Sequence, residues 1–307
     1  MRIAVVDIGT NSTRLLIADV EYGRVTAELE RRTLITRLGA GVDADGRLNQ
    51  EAMDRVYAAL DEYRLLLEKH HVDRAIAVLT SAVRDAANGR EFADTVEQRY
   101  GIVPHILSGD DEARLTFLGA TSERDPADRT PTLVFDIGGG STEVVIGEGQ
   151  EMTFHVSTQA GVVRQTERHI QTDPPSPEEL EELREDVHEI ITGAVPESHR
   201  RAVGHAIGVA GTATSMAAIA QELEPYDASK VHGYHITVGE SERILERLAA
   251  LPLKERRQVK GLHPDRAPTI VAGAIILLEV LRLFGLNEVE ISEHDILRGA
   301  ALGLGGD

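Results

Sequence analysis

The chain has 307 residues, no cysteine and a formal net charge of −19 at pH 7. Its length is sufficient for two domains with full cores, and the missing thiol excludes disulfides, zinc–thiolate sites and cysteine nucleophiles. The acidic excess argues against duplex nucleic acid as a partner, because proteins bind its phosphates with Lys and Arg. Without a secretory leader pattern or an apolar run long enough for a membrane span, the sequence predicts a cytoplasmic protein that does not contact a membrane.

The first half alternates between strand and helix patterns. Residues 1–37 predict a strand meander, and apolar residues at spacings of three and four predict a helix over 50–69 with Asn49 as its N-cap. A buried strand over 75–79 leads into a polar loop at 80–88. A second strand, over 102–107, precedes the segment 108–112, which ends in three acidic residues, and a helix is predicted from residue 113.

The polar stretch 123–131 contains two prolines and predicts a domain boundary. We therefore predict domains at 1–124 and 125–307, with the segment from about 293 to 307 as a candidate to pack back on the first. The second half predicts a strand pair over 132–147, a helix behind the N-cap Ser176, a strand over 206–210 and an apolar helix over 267–284. This alternation indicates an α/β fold in two related halves.

One short motif occurs twice. Asp7 opens the order Asp-Ile-Gly, two variable residues, Ser-Thr, and Asp136 opens the same order 129 residues later. Each copy lies between two apolar strand patterns, which predicts a strand, a tight turn and a second strand. Turns rich in Gly, Ser and Thr present backbone N–H groups that bind phosphate. The repeat predicts two similar halves that hold a phosphate chain or a nucleotide between them.

Several side chains near these turns suit phosphate chemistry. The candidate metal-binding and acid–base carboxylates are Asp7, Glu112, Asp136 and Glu143. Mg²⁺ prefers a few carboxylates together with waters and substrate phosphates, although Asp7 and Asp136 could instead cap the turns that follow them. Arg84 and Arg164 suit phosphate contacts, with a pair between Arg84 and Asp85 as the alternative. His232 and His235 lack a third ligand, so we predict structural roles for both.

These segments resemble the Ppx/GppA family of exopolyphosphatases and guanosine pentaphosphate phosphohydrolases. The similar segments, in family order and spacing, are 7–14, 80–88, 108–114, 136–143, 161–164 and 211–214, and the similarity extends from residue 1 to about 303. The resemblance implies the actin/sugar-kinase (ASKHA) superfold, an α/β fold with two ribonuclease-H-like domains and an interdomain cleft. It also implies a homodimer.

The resemblance further implies a phosphoric anhydride hydrolase, an exopolyphosphatase that removes the terminal phosphate of inorganic polyphosphate with Mg²⁺ or Mn²⁺. Glu112 looks like the general base that positions and deprotonates water. Asp136 and Glu143 look like the metal-side carboxylates, with Asp7 opposite. The other matched residues look like substrate contacts: Asn11, Ser12, Thr13, Arg14, Ser81, Arg84, Gly138, Gly139, Gly140, Ser141, Thr142 and Arg164.

Two departures from the longer family members affect these expectations. The sequence stops at residue 307, without their C-terminal HD-type domain, so we expect a preference for short polyphosphate chains. Residues 292–299 match those members only in part, and we do not assign this segment to the site.

Three alternative functions stay open. One is a pppGpp 5′-phosphohydrolase, which would connect the protein with the stringent response. Another is a regulatory protein that binds polyphosphate, pppGpp or ppGpp without turnover, although a carboxylate at position 112 would not help a pure anion binder. A kinase of the same fold is the third, but the sequence carries no specific signature of an adenosine pocket or an acceptor site.

Overall fold

The structure, a computed structural model, describes residues 1–125, 127–149 and 151–304. The chain divides into two compact units. The first unit contains Met1–Ser122 and the C-terminal segment that begins at Asp295, and the second contains Glu123–His294. Within the described ranges, no helix is both long enough and apolar enough to cross a membrane.

A five-stranded sheet organises the first unit, in the order β3-β2-β1-β4-β5. Its strands are β1 (Arg2–Ile8), β2 (Ser12–Glu21), β3 (Arg24–Ile35), β4 (Arg74–Leu79) and β5 (Val103–Ile106). Strands β1 to β3 form an antiparallel meander, whereas β4 and β5 run parallel to β1. The helices that follow in sequence are α1 (Val42–Asp45), α2 (Gln50–Lys69), α3 (Ser81–Arg84), α4 (Gly89–Tyr100) and α5 (Gly109–Thr121).

The second unit repeats this sheet order as β8-β7-β6-β9-β11 and adds β10 at the β11 edge. Its strands are β6 (Thr132–Ile137), β7 (Thr142–Glu148), β8 (Glu151–Thr158), β9 (His205–Val209), β10 (Tyr234–Thr237) and β11 (Glu288–Ser292). Its α-helices are α6 (Val162–His169), α7 (Pro177–Ala194), α8 (Glu197–Ala202), α9 (Ala210–Ala220), α10 (Ala228–Val231), α11 (Val238–Ala250), α12 (Leu253–Arg256) and α13 (Ile270–Leu283). A 3₁₀ turn covers Pro264–Arg266, and α14 (Ile296–Gly303) returns to the first unit.

Each face of the first sheet buries a separate set of apolar side chains, because alternate residues of a strand point to opposite faces. On one face, Val6 and Ile8 of β1 belong to the core that includes α2 and α4. On the other face, Ile3 and Val5 belong to the core that includes α5 and α14. The sheet therefore carries helices on both faces, which leaves its strand ends to present polar side chains.

Helix capping explains where several helices begin. Helix α2 has the predicted bounds, and the Asn49 side chain accepts a hydrogen bond from the N–H of Ala52. The predicted capping box at Ser176 is present. The apolar helix predicted from residue 267 begins at Ile270 instead, because residues 267–269 form a turn that follows the 3₁₀ segment.

The predicted start of α5 at residue 113 is wrong. The Ser108 hydroxyl accepts a hydrogen bond from the N–H of Asp111, and the helix starts at Gly109. The acidic residues 110–112 therefore form its first turn, where the helix dipole favours negative charge. This correction places Glu112 within the first turn of the helix, where the helical hydrogen bonds fix its backbone.

Two glycines allow α5 and α14 to approach closely. A Cβ added at Gly119 would lie 1.9 Å from the carbonyl oxygen of Asp295, and one added at Gly299 would lie 1.8 Å from that of Leu115. Both distances are far below contact distance, so larger residues would push the helices apart. The close packing fixes the start of α14 within the first unit.

Candidate active site

The turn after β1 has its carbonyl groups engaged and two amide groups available. The N–H of Gly9 donates to the carbonyl of Ser12 at 3.0 Å, which closes the turn. The carbonyls of Thr10 and Asn11 accept hydrogen bonds from backbone N–H groups of residues 36, 37 and 39, at 2.9 to 3.1 Å. Among the described residues, the N–H groups of Thr10 and Asn11 have no acceptor. Such oriented donors form an anion-binding concavity.

The turn after β6 repeats this arrangement within the second unit. The N–H of Gly138 donates to the carbonyl of Ser141 at 2.9 Å. The carbonyls of Gly138 and Gly139 accept from the first N–H groups of α6, at 2.9 Å each, and Nε of Arg164 donates to the carbonyl of Gly140 at 3.1 Å. The N–H groups of Gly139 and Gly140 find no acceptor in the ranges that the structure describes.

Gly161 allows α6 to reach the second turn. A Cβ at this position would lie 2.2 Å from the carbonyl carbon of Gly140 and 2.4 Å from the carbonyl oxygen of Gly139. No L-residue with a side chain fits there without moving the backbone. The glycine that follows β8 therefore has a packing role that the spacing of the sequence alone did not reveal.

The first carboxylate, Asp7, is buried at the end of β1 with one oxygen unsatisfied. Its Oδ2 accepts a hydrogen bond from Nε of Arg14 at 2.8 Å. Its Oδ1 is buried and has no hydrogen-bond partner among the described residues. Burial raises the pKa of the Asp7 carboxyl, and the neighbouring Arg14 opposes the rise only in part. An orphaned buried carboxylate oxygen is a position that a cation or an ordered water can satisfy.

The second hairpin places two carboxylates opposite each other. Asp136 pairs with Glu143 in the β6–β7 register, at the position where Asp7 pairs with Arg14 in β1–β2. Both acidic side chains are buried, and Oε1 of Glu143 accepts hydrogen bonds from the hydroxyls of Ser141 at 2.7 Å and Ser157 at 2.9 Å. Like charges on facing strand positions are unfavourable. A divalent cation beside this pair would offset the repulsion.

Glu112 is held by an arginine in the first unit. Nη1 of Arg84 donates to Oε2 of Glu112 at 3.1 Å and to the carbonyl of Leu107 at 3.1 Å. The alternative pair with Asp85 is also present, at the longer distance of 3.5 Å. The Ser81 hydroxyl shares a hydrogen bond of 2.9 Å with the Thr10 hydroxyl, which connects the residue after β4 with the first turn.

The first-unit predictions therefore meet at the carboxyl ends of the parallel strands β1, β4 and β5, the edge where open α/β sheets bind ligands. This group consists of Asp7, Asn11, Ser12, Ser81, Arg84 and Glu112. Within the second unit, residues 136–143 and Arg164 form the corresponding group at the end of β6.

Three predicted substrate contacts have their side chains engaged in internal bonds. The Thr13 hydroxyl bonds that of Thr36 at 2.9 Å, the Thr142 hydroxyl donates to the carbonyl of Ala160, and Arg14 forms ion pairs with carboxylates. Both threonines are fully buried. Their side chains brace the turns, and direct phosphate contact by these three residues stays a prediction.

Asp295, in the segment that the sequence analysis left outside the site, contacts one of the predicted site residues. Its Oδ2 forms an ion pair with Nη1 of Arg14, while its Oδ1 accepts a hydrogen bond from the N–H of Leu297 at 3.0 Å. An aspartate directly before an apolar helix is a recognisable N-cap signal. The contact with Arg14 had no sequence signal, because it depends on how α14 packs.

Arg266 is a second residue that the sequence did not identify. A Cβ added at Gly211 would lie 1.8 Å from Nη1 of Arg266, so the guanidinium lies against the first turn of α9. Ala210 begins this helix with a φ of 58°, a strained value for a residue with a side chain. The Thr212 hydroxyl donates to the carbonyl of Ile137 at 3.2 Å and connects this helix start to β6.

A model of the Ppx/GppA phosphatase family matches residues 16–303. The chain belongs to the Ppx/GppA phosphatase family. Among curated relatives, exopolyphosphatase 2 of Mycobacterium tuberculosis is 40% identical over 317 residues, which cover 99% of each chain. The bifunctional 3-dehydroquinate synthase/phosphatase of Fusobacterium nucleatum is 35% identical, over 97% of this chain and 46% of its own length.

Solved structures agree with this family assignment. The Ppx/GppA family member of Aquifex aeolicus is 31% identical with a TM-score of 0.83, over 99% of this chain and 97% of its own. An exopolyphosphatase from Cytophaga hutchinsonii is 29% identical with a TM-score of 0.89 at the same coverage. These findings confirm the predicted family, the phosphoric anhydride hydrolase class and the α/β ASKHA fold, whose ribonuclease-H-like sheet order occurs in both units.

Proposed function

We propose that the protein is a Mg²⁺-dependent exopolyphosphatase that releases orthophosphate from the end of inorganic polyphosphate. The observation that carries the proposal is the repeated turn, in which the carbonyls are engaged and two N–H groups are available in each copy. A linear chain of phosphates needs several such donors, and the net charge of −19 makes local donors more important because long-range attraction is absent. Relatives named exopolyphosphatases support this substrate.

The donor set fits a hard divalent cation. The orphaned Oδ1 of Asp7 offers an oxygen ligand in the first unit, and the facing Asp136 and Glu143 offer others in the second. Mg²⁺ takes oxygen ligands and retains waters, so one to three carboxylates suffice. Asp7 in the first unit and Asp136 with Glu143 in the second are the proposed Mg²⁺ ligands, and bound Mg²⁺ would neutralise charge on the phosphoryl oxygens.

Glu112 is the proposed general base. Its carboxylate is buried in the first turn of α5 and its position is fixed by Arg84 at 3.1 Å. Water adds to the terminal phosphorus, Glu112 accepts a proton from that water, and the bond from phosphorus to the bridging oxygen breaks. The products are orthophosphate and a chain shorter by one phosphate. Glu112 would contribute mainly through the position in which it holds the water.

Arg84 and Arg164 are the proposed contacts for the polyphosphate chain near its reacting end. Nε of Arg164 donates to the Gly140 carbonyl at 3.1 Å, which fixes the side chain beside the second turn, where a guanidinium suits phosphate contact. Nη1 of Arg84 donates to both Glu112 and the Leu107 carbonyl. A phosphate that contacts Arg84 would therefore also act on the group that positions the base. The available N–H groups of each turn would donate hydrogen bonds to phosphate oxygens of the substrate.

The test is phosphate release with Mg²⁺ from three substrates: polyphosphate with free ends, polyphosphate with both ends blocked, and pppGpp. An exopolyphosphatase releases orthophosphate from the free chain and leaves the blocked chain intact. Release from pppGpp alone would replace the proposal with the phosphohydrolase alternative, and cleavage of blocked chains would contradict end-directed attack. The same assay on short and long chains tests the expected short-chain preference.

A further inference from the structure

Two histidines and a glutamate cluster in the second unit, apart from the residues with proposed catalytic roles. One ligand atom from each of Glu123, His232 and His294 lies within 4.8 Å of the other two. The two imidazole rings lie with their centroids 4.3 Å apart, and Nδ1 of His294 is 3.8 Å from Oε2 of Glu123. Imidazole nitrogens and a carboxylate oxygen at such spacing form a typical donor set for a transition metal.

The β10–β11 ladder brings the two histidines together. Tyr234 pairs with Ile291, and the N–H of Gly233 donates to the carbonyl of Ile291 at 2.8 Å. Extension of this register places His232 beside the end of β11, where His294 follows two residues after Ser292. Because an ordered strand pair fixes both backbones, the ring-to-ring spacing depends on the sheet and not on a loose loop.

Structural roles were predicted for His232 and His235 because a third ligand was missing, and the structure separates these two residues. His235 pairs with Glu288 at 3.1 Å, whereas His232 gains His294 and Glu123 as neighbours. Nδ1 of His232 accepts from the N–H of Glu293 at 3.3 Å and lies 3.5 Å from the Ser292 hydroxyl. Both distances are long for hydrogen bonds, so the lone pair is only weakly engaged.

We propose that Glu123, His232 and His294 bind one divalent transition-metal ion of the Zn²⁺ type, with water completing a four-coordinate site. With bonds near 2.1 Å, neighbouring ligand atoms around such an ion lie about 3–3.5 Å apart. Side-chain rotations that move the ligand atoms by about 1 Å would bring the three observed atoms to that separation. The nitrogen ligands distinguish this site from the all-oxygen set proposed for Mg²⁺. The inference therefore does not depend on the proposed catalytic function.

Glu123 is the first residue of the second unit and His294 is its last. An ion bound by both would connect the beginning and the end of that unit to each other and to β10. A ligand that binds only the folded state stabilises it by mass action. Metal binding is therefore expected to raise the thermal unfolding temperature, independently of any effect on turnover.

The experiment titrates the full, metal-stripped protein with Co²⁺, a coloured substitute for Zn²⁺, in excess Mg²⁺ that occupies oxygen sites. The variants are His294→Gln, His232→Gln and Glu123→Gln. The matched control is His188→Gln, since His188 is a half-exposed histidine that pairs with a single carboxylate, Glu279, at 3.3 Å. Zn²⁺ competition and thermal unfolding with and without Zn²⁺ provide readouts besides the visible spectrum.

The proposal predicts one Co²⁺ per chain, displaced by Zn²⁺, in the native protein and in His188→Gln. Either histidine variant abolishes the signal, and Glu123→Gln weakens binding at least tenfold. If a histidine variant fails to fold, the exposed Glu123→Gln decides the question alone. Absence of stoichiometric binding to the native protein would overturn the proposal, and so would unchanged binding in a folded variant.

Discussion

Arg14 and Asp295 form an ion pair although 281 positions separate them in the chain. On its other side, Nε of Arg14 donates to Oδ2 of Asp7 at 2.8 Å, and Nη2 lies 2.6 Å from the same oxygen in an ion pair. The guanidinium is largely buried between the two carboxylates, 12% exposed, so its orientation is fixed from both sides. The start of α14 therefore positions the carboxylate at the end of β1.

Asp295→Asn is predicted to disturb this bridge and leave the helix cap in place, because asparagine also caps helices. Loss of one partner from a buried charged hydrogen bond costs about 1–3 kcal/mol in the free energy of unfolding. Phosphate release should fall several-fold because Asp7 loses its fixed neighbour. Urea unfolding and the phosphate assay measure the two effects.

Asp19→Asn is the matched control, since it breaks the more exposed Arg2–Asp19 pair in the same unit. Surface pairs contribute little to stability. Equal effects of the two substitutions on stability and activity would contradict a positioning role for Asp295.

Asp7→Asn is predicted to stabilise the metal-free protein at pH 7 while it removes activity. Burial raises the pKa of Asp7, so the folded state binds its proton more tightly than the unfolded chain does. Stability of the native protein therefore decreases as the pH rises from about 3.9 through the raised folded value. The asparagine side chain lacks this penalty, and Arg14 retains Asp295 as a partner.

Urea unfolding of the native protein and of Asp7→Asn, in the presence of a metal chelator and from pH 7 to about pH 4, checks the sign of this pH dependence. The advantage of the variant should shrink as the pH falls, because Asp7 in the native protein becomes neutral. If Asp7→Asn is less stable than the native protein at pH 7, the attraction between Asp7 and Arg14 outweighs the cost of burying the Asp7 charge.

Gly161→Ala tests whether the close approach of α6 shapes the second turn. The new Cβ would overlap the Gly140 carbonyl at 2.2 Å, so we expect a loss of about 1–3 kcal/mol in unfolding free energy from overpacking. Because the turn must shift, phosphate release should fall more than tenfold. Gly193→Ala in α7 has open space around it and should stabilise by about 0.5–1 kcal/mol. Activity of Gly161→Ala equal to that of Gly193→Ala would rule out the packing argument.

Ser157→Ala removes one of the two hydroxyls that orient Oε1 of Glu143. Groups that orient a metal ligand are commonly worth 10–100-fold in metal affinity, so the Mg²⁺ concentration for half-maximal activity should rise about tenfold. The control is Thr153→Ala on the same strand, where the lost hydroxyl donates only to the Ile146 carbonyl. A Mg²⁺ titration of phosphate release compares them, and an unchanged midpoint for Ser157→Ala would argue against Glu143 as a metal ligand.

Local signals in the sequence predicted local structure well. Asn49 and Ser176 marked their helix starts because capping depends on neighbouring residues. The repeated Asp-Ile-Gly motif correctly predicted two strand–turn–strand units for the same reason. Ser108 carried an equally readable capping signal, but the predicted helix began at residue 113 and so missed the first turn of α5, which starts at Gly109.

Long-range contacts were not predictable from pattern. Asp295 reaches Arg14 through the packing of α14, and Arg266 reaches Gly211 from a 3₁₀ turn more than fifty residues later. His294 joins His232 through strand pairing. In each case the partner is selected by tertiary structure, and no spacing in the sequence encodes it.

The most direct test of the central claim compares phosphate release from short polyphosphate by the native protein, Glu112→Gln and Asp110→Asn, at saturating Mg²⁺. Asp110 is an exposed acid in the same helical turn, so its substitution controls for lost charge at the helix start. If Glu112 is the general base, turnover by Glu112→Gln falls about 10²–10⁴-fold with polyphosphate binding retained, and Asp110→Asn stays near the native rate. Turnover by folded Glu112→Gln within a fewfold of the native rate would contradict the account.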